Sequence, residues 1–144
     1  MNEDELQKGI ATLELLKVQI ENLQKQIDAI QLSIQEIIRA VETLEGYTKM
    51  ENDEILVPIG AGVFISAKIS EKKGIMGIGN NLFVDLPLEK MIESLKERRK
   101  KYEELLSKLT MDMKKLQENY AVLSEKVEKD YQKYLEEMKN VQSP

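Results

Sequence analysis

From Leu13 to Leu44 the apolar residues of this chain fall alternately three and four apart without a break. Leu13, Ile20, Ile27, Ile34 and Val41 hold one heptad position; Leu16, Leu23, Ile30, Ile37 and Leu44 hold the other. A stripe this narrow needs a second helix carrying a matching stripe, because only side chains interlocked across a seam can cover it. The chain supplies one: Leu88, Ile92, Leu95, Arg99, Tyr102, Leu106, Leu109, Met113, Leu116, Tyr120, Leu123 and Val127 repeat the spacing. At Arg99 the aliphatic stem is expected to cover the seam while the guanidinium reaches water. Past Val127 the pattern decays, with Asp130 and Glu137 on the stripe and Tyr131, Tyr134, Leu135, Met138 and Val141 spread over more than one face. These spacings predict an antiparallel two-helix coiled coil, residues 1–46 forming one arm and 87–144 the other. Gly46 is placed for a left-handed helix cap and Pro87 for a first helical turn. At about 1.5 Å per residue the second arm outreaches the first by roughly 20 Å.

Residues 47–86 read as short strands: 55–59, 63–69, 75–78 and 82–85. Turns are predicted at Gly60-Ala61-Gly62, Glu71-Lys72-Lys73-Gly74 and Gly79-Asn80-Asn81. The fold class is therefore α+β, a long coiled coil with two β-hairpins at its connecting end. Ile55, Val57, Ile59, Val63, Ile65, Ala67 and Ile69 alternate with period two, which puts one apolar face against something buried. Lone two-stranded hairpins are marginal in water and their open edges invite pairing with another chain. Ile55, Val57, Ile59, Val63, Ile65, Ile69, Ile75, Ile78, Leu82 and Val84 are the residues expected to join other subunits.

Composition removes most chemistry. The chain has no Cys and no His, so thiolate and imidazole catalysis and the usual zinc ligands are excluded. Gly60-Ala-Gly62 and Gly77-Ile-Gly79 lack the spacing and the following helix of a phosphate-binding loop, and read as turn and bulge glycines. Glu51, Asp53 and Glu54 lack the alternating ligand loop of a calcium site. The acidic pairs Glu103-Glu104 and Glu136-Glu137 have nothing on a two-helix arm to desolvate them. No enzyme, metal or cofactor is expected. The formal charge of −5 falls on the first arm, and Arg98-Arg99-Lys100-Lys101 points all round a helix axis, so no nucleic-acid stripe forms. No apolar run approaches the roughly 20 residues that span a bilayer, and the acidic start lacks a targeting signal, so a cytoplasmic protein is expected.

The decaying end of the second arm lies opposite the beginning of the first. Leu6, Ile10, Leu13, Tyr131, Tyr134, Leu135, Met138 and Val141 there form a candidate apolar surface, on which unbranched Met suits varied partners. The runs Ile55-Leu-Val-Pro-Ile-Gly-Ala-Gly-Val-Phe-Ile65 and Met76-Gly-Ile-Gly-Asn-Asn81 resemble those of an α-class prefoldin subunit, and the likeness extends over both coils. That resemblance implies a heterohexamer in which α- and β-type subunits join their hairpins into a β-barrel body. Its coiled coils would hold non-native client proteins, without ATP, for delivery to a group II chaperonin. Filament-forming relatives share the layout, so the resemblance leaves the closed hexamer and the filament both open, and a coiled-coil scaffold without client promiscuity is the other reading of the residues.

Overall fold

A computed structural model of the chain describes residues 3–69 and 71–142. Its elements are helix α1 (Glu3–Lys49), strands β1 (Glu54–Gly60), β2 (Val63–Lys68), β3 (Lys73–Gly79) and β4 (Leu82–Pro87), and helix α2 (Leu88–Gln142). The helices carry acidic residues in the first turn, Glu3, Asp4 and Glu5 on α1 and Glu89 on α2, and lysine in the last, complementing the backbone dipole. The chain divides into two compact units, one of residues up to Gln31 with those from Glu104 onward, the other of Leu32–Glu103.

In the first unit Gly9 on α1 lies against Val127 on α2, and Leu23 shares a groove with Leu116. As the α1 number rises the α2 number falls, so the helices run antiparallel. The predicted stripe is the covered one: Ile27, Met113 and Val127 are buried, and Leu13, Leu16, Ile20, Leu23, Leu109, Leu116, Tyr120 and Leu123 half-buried.

In the second unit Ile37 faces Leu95 and Tyr102, and the Lys96 Nζ stands 3.1 Å from Glu45 Oε1, again antiparallel. Its core is Met76, Leu88 and Met91, with Leu44, Tyr47, Val84, Leu86 and Leu95 packed round it. Here the stripe departs from the expected phase. Met91, not Ile92, enters the core, so one heptad later it is Arg98, not Arg99, that lies half-buried beside Ile37, Leu95 and Tyr102. The Arg98 guanidinium donates to the Gly77 carbonyl at 3.4 Å, whereas Arg99 points outward and pairs with Glu103 at 2.8 Å. A backbone acceptor on β3 draws the arginine stem across the seam, which no spacing rule along α2 contains.

The helix boundaries correct two expectations. α1 runs through Gly46, whose φ is not positive, and ends at Lys49. A lysine provides its cap: the Lys72 Nζ, in the turn between the hairpins, donates to the Tyr47 carbonyl at 2.6 Å and the Met50 carbonyl at 3.4 Å. Its positive charge at the negative end of the helix dipole adds to the bond. The Lys72 carbonyl in turn accepts from the Leu88 N–H at 2.9 Å, so one residue ties the end of α1 to the start of α2. Pro87 closes β4, and α2 follows without a loop. With 47 residues in α1 and 55 in α2 the excess is roughly 12 Å, not 20. Replacing Lys72 with Met keeps the stem and removes the donors, and is expected to cost about 1 kcal/mol because the group is partly solvated. The urea midpoint should fall accordingly with an unchanged slope.

The hairpins form two separate two-stranded antiparallel sheets, β1–β2 and β3–β4. Both turns have the same build. Ala61-Gly62 and Asn80-Asn81 are two-residue loops with positive φ at both positions, the conformation whose twist matches the strands. Before each loop the register slips at a bulge, where Gly60 and Gly79 both adopt φ 106°, a conformation costly for any residue with a Cβ.

Candidate client-binding and assembly surfaces

The hairpins leave most of their apolar side chains in solvent. In β1–β2, Ile55 stands opposite Ala67 and Val57 opposite Ile65 on one face, with Leu56 opposite Ser66 and Pro58 opposite Phe64 on the other. Ile55, Val57 and Ala67 are half-buried, as is Ile69, which lies just past β2 with its N–H on the Asp53 carbonyl at 2.8 Å. Ile59, Val63 and Ile65 are exposed. In β3–β4 the inward face is Gly74, Met76, Val84 and Leu86. Ile75, Ile78 and Leu82 are exposed, whereas Val84 packs on the Met76–Leu88–Met91 core of its own chain.

Reading one apolar face per strand missed three residues. Leu56 (67%), Phe64 (58%) and Phe83 (67%) are among the most exposed apolar side chains of the chain. Phe64 stands opposite Pro58 and Phe83 opposite Gly77, each two residues past its loop, and Ile59 and Ile78 are the extra residues of the two bulges. The hairpins therefore repeat one surface, Ile-Gly-loop-apolar-Phe. The signal was present as the unbroken apolar runs at 55–59 and 63–65, the mark of strands covered on both faces.

Where the first turns of α1 lie beside the last turns of α2, the candidate residues divide. Leu6 is buried (6%), and Leu13 and Tyr134 are half-buried. Leu6, Gly9 and Leu13 continue the α1 stripe backward, and Tyr134 continues that of α2 past Val127 and Asp130, so seam positions cover these three side chains. Ile10, Tyr131, Leu135, Met138 and Val141 are exposed, Val141 at 82%. Tyr131, Leu135 and Met138 sit four and three apart, so they share one side of α2, and Val141 follows at the next turn.

A family model described as Prefoldin subunit matches residues 16–133, which takes in both hairpins and most of each helix. The chain belongs to the prefoldin subunit family. Similar proteins include prefoldin subunit alpha 1 of Methanocaldococcus jannaschii, 34% identical over 128 residues covering 81% of this chain and 88% of that one. Prefoldin subunit alpha of Methanococcus aeolicus is 31% identical over 96% of this chain and 92% of its own, and that of Pyrococcus horikoshii 30% identical over 92% and 91%. Among solved structures, a chain of filamentous PFD from M. jannaschii matches with a TM-score of 0.65, covering 83% of this chain and 98% of that one. At 18% identity that likeness concerns the fold. The coiled coil with two hairpins is thus a prefoldin fold, and the family is one of chaperone subunits. Among the described residues no helix is long and apolar enough to cross a membrane.

Proposed function

We propose that the chain is the α-type subunit of an ATP-independent cytoplasmic holdase, assembled with β-type subunits through its hairpins, that binds non-native proteins at the arm ends and passes them to a group II chaperonin. The observation that carries this reading is the exposed row Tyr131, Leu135, Met138 and Val141, with Ile10 in the same unit. An unfolded client offers apolar groups in no fixed order. Its holder therefore needs shallow, adaptable apolar surface repeated on several arms, where avidity replaces tight single contacts. Holding lowers the free aggregation-prone population by mass action and needs no nucleotide.

Changing Tyr131, Leu135, Met138 and Val141 together to Ser is expected to leave the mass of the assembly unchanged. Suppression of aggregation of chemically denatured citrate synthase, followed by light scattering, should weaken roughly tenfold in the concentration required, the loss expected when several weak contacts fail together. Undiminished suppression overturns the reading.

The filament is the second reading. The prefoldin fold of filamentous PFD matches this chain, and both hairpins here have open edges and one repeated surface. A heterologous contact that does not close produces an open fibre. Growth of the purified chain alone into fibres seen by electron microscopy would favour it over the closed hexamer.

A further inference from the structure

We infer that the two hairpins are partner sites of unequal strength: β3–β4 is ordered before assembly and filled first, whereas β1–β2 gains its order on meeting a second partner subunit. The inference rests on the assembly part of the reading above. The outward surfaces repeat, Ile59 and Phe64 on one hairpin matching Ile78 and Phe83 on the other. What differs is the support behind them.

β3–β4 is held at its base, middle and tip. At the base β4 runs straight into α2, and the Leu88 N–H donates to the Lys72 carbonyl at 2.9 Å. In the middle Met76 is buried with Leu88 and Met91, and Val84 and Leu86 pack on that cluster. Near the tip the Arg98 guanidinium of α2 reaches the Gly77 carbonyl at 3.4 Å. In β1–β2 no residue is buried and none belongs to the core cluster; Ile55, Val57 and Ala67 are half-buried. Pro58 stands opposite Phe64 as Gly77 does opposite Phe83, but among the described residues no hydrogen bond joins β1 or β2 to a helix. Just before β1 the Lys72 Nζ stands 3.9 Å from Asp53 Oδ1, with both side chains about half in solvent, which makes a weak tie.

The loops differ in the same direction. Asn80 and Asn81, at φ 52° and 59°, are residues that tolerate the left-handed region, whereas Ala61 adopts φ 51° with no polar side chain to bond locally. A two-stranded hairpin with no buried residue is marginal in water, and local opening concentrates where buried contacts are few. A site ordered in about one molecule in ten binds about tenfold more weakly than the same site always ordered.

Amide hydrogen exchange and a calorimetric titration with a β-type subunit, both on the full chain, test this. Before assembly residues 54–68 are expected to be at least about tenfold less protected than residues 73–87, and to gain protection when the β-type subunit is added. The titration should show two steps about tenfold apart. Phe64→Ser should leave the tight step unchanged and weaken the other about thirtyfold, whereas Phe83→Ser should lower the tightest step about tenfold, to the strength of the parent's second. Ala61→Asn relieves the loop, and should raise protection of residues 54–68 and strengthen the weaker step about threefold while leaving the tight one alone. Equal protection of the two hairpins before assembly overturns the inference, as does an equal loss of the tight step in the two serine variants or an Ala61→Asn variant with the parent's weaker step. Those outcomes leave assembly through the hairpins standing. Association unaltered by either serine change removes that reading, and this inference with it.

Discussion

A chain carrying both Phe64→Ser and Phe83→Ser is expected to keep its fold and lose its partners. Both rings lie in solvent on the outer faces of their hairpins, Phe83 resting across Gly77, where an added Cβ would meet the ring at 3.3 Å. Neither belongs to the core cluster, so removing them opens no cavity and unfolding should change by less than about 0.5 kcal/mol. In an assembly the same rings would be covered. Burying a phenylalanine contributes about 2 kcal/mol, so losing two weakens association by about 4 kcal/mol, roughly a thousandfold in Kd. Sedimentation of the variant with an equimolar β-type subunit at micromolar concentration checks this. A complex of undiminished mass and affinity would remove the repeated hairpin surface from the interface. Val84→Ser serves as the contrast: Val84 packs on the intrachain core, so that change should lower the unfolding midpoint.

What the residues alone disclosed follows from the range of each interaction. The arms were readable because a heptad stripe is a local repeat, and a seam needs nothing else to declare itself. The hairpin turns were readable because Gly60, Gly62, Gly79 and the pair Asn80-Asn81 are residue types that accept the positive φ such loops need, although Ala61 adopts it as well. Contacts between distant segments stayed hidden. Lys72 caps a helix that ended more than twenty residues earlier, with only its charge to announce it. The shift from Arg99 to Arg98 depends on a carbonyl of β3, and the inward turn of Val84 on a methionine of α2. At the arm end, eight apolar residues looked alike in sequence, and only the pairing of the helices separates buried Leu6 from exposed Met138.

Met91→Ala is expected to cost about 2 to 3 kcal/mol, the lower part of the range for removing a buried methionine. Met91 is buried at the meeting of four elements: α1 through Leu44 and Tyr47, β3 through Met76, β4 through Val84 and Leu86, and α2 through Leu88 and Leu95. The lower part of the range applies because the site borders a cleft between Thr43, Leu44, Ile75 and Leu95, into which neighbours can relax. The test of this packing lies in Gly74. A Cβ there would stand 3.0 Å from Met91 Cε and 3.6 Å from Sδ, so β3 omits a side chain where the methionine lies. Gly74→Ala in the parent forces that methyl aside, at about 1 kcal/mol. In the Met91→Ala background the added methyl enters vacated space and its cost should vanish, a coupling of about 1 kcal/mol. Urea unfolding of the four chains, read from midpoints at constant slope, measures the cycle. Additive losses would mean that the two residues do not share this contact. The hairpin β3–β4 would then need another anchor to the helices than Met91, whereas with the coupling present the tightness of this one contact sets how firmly that hairpin is held for assembly.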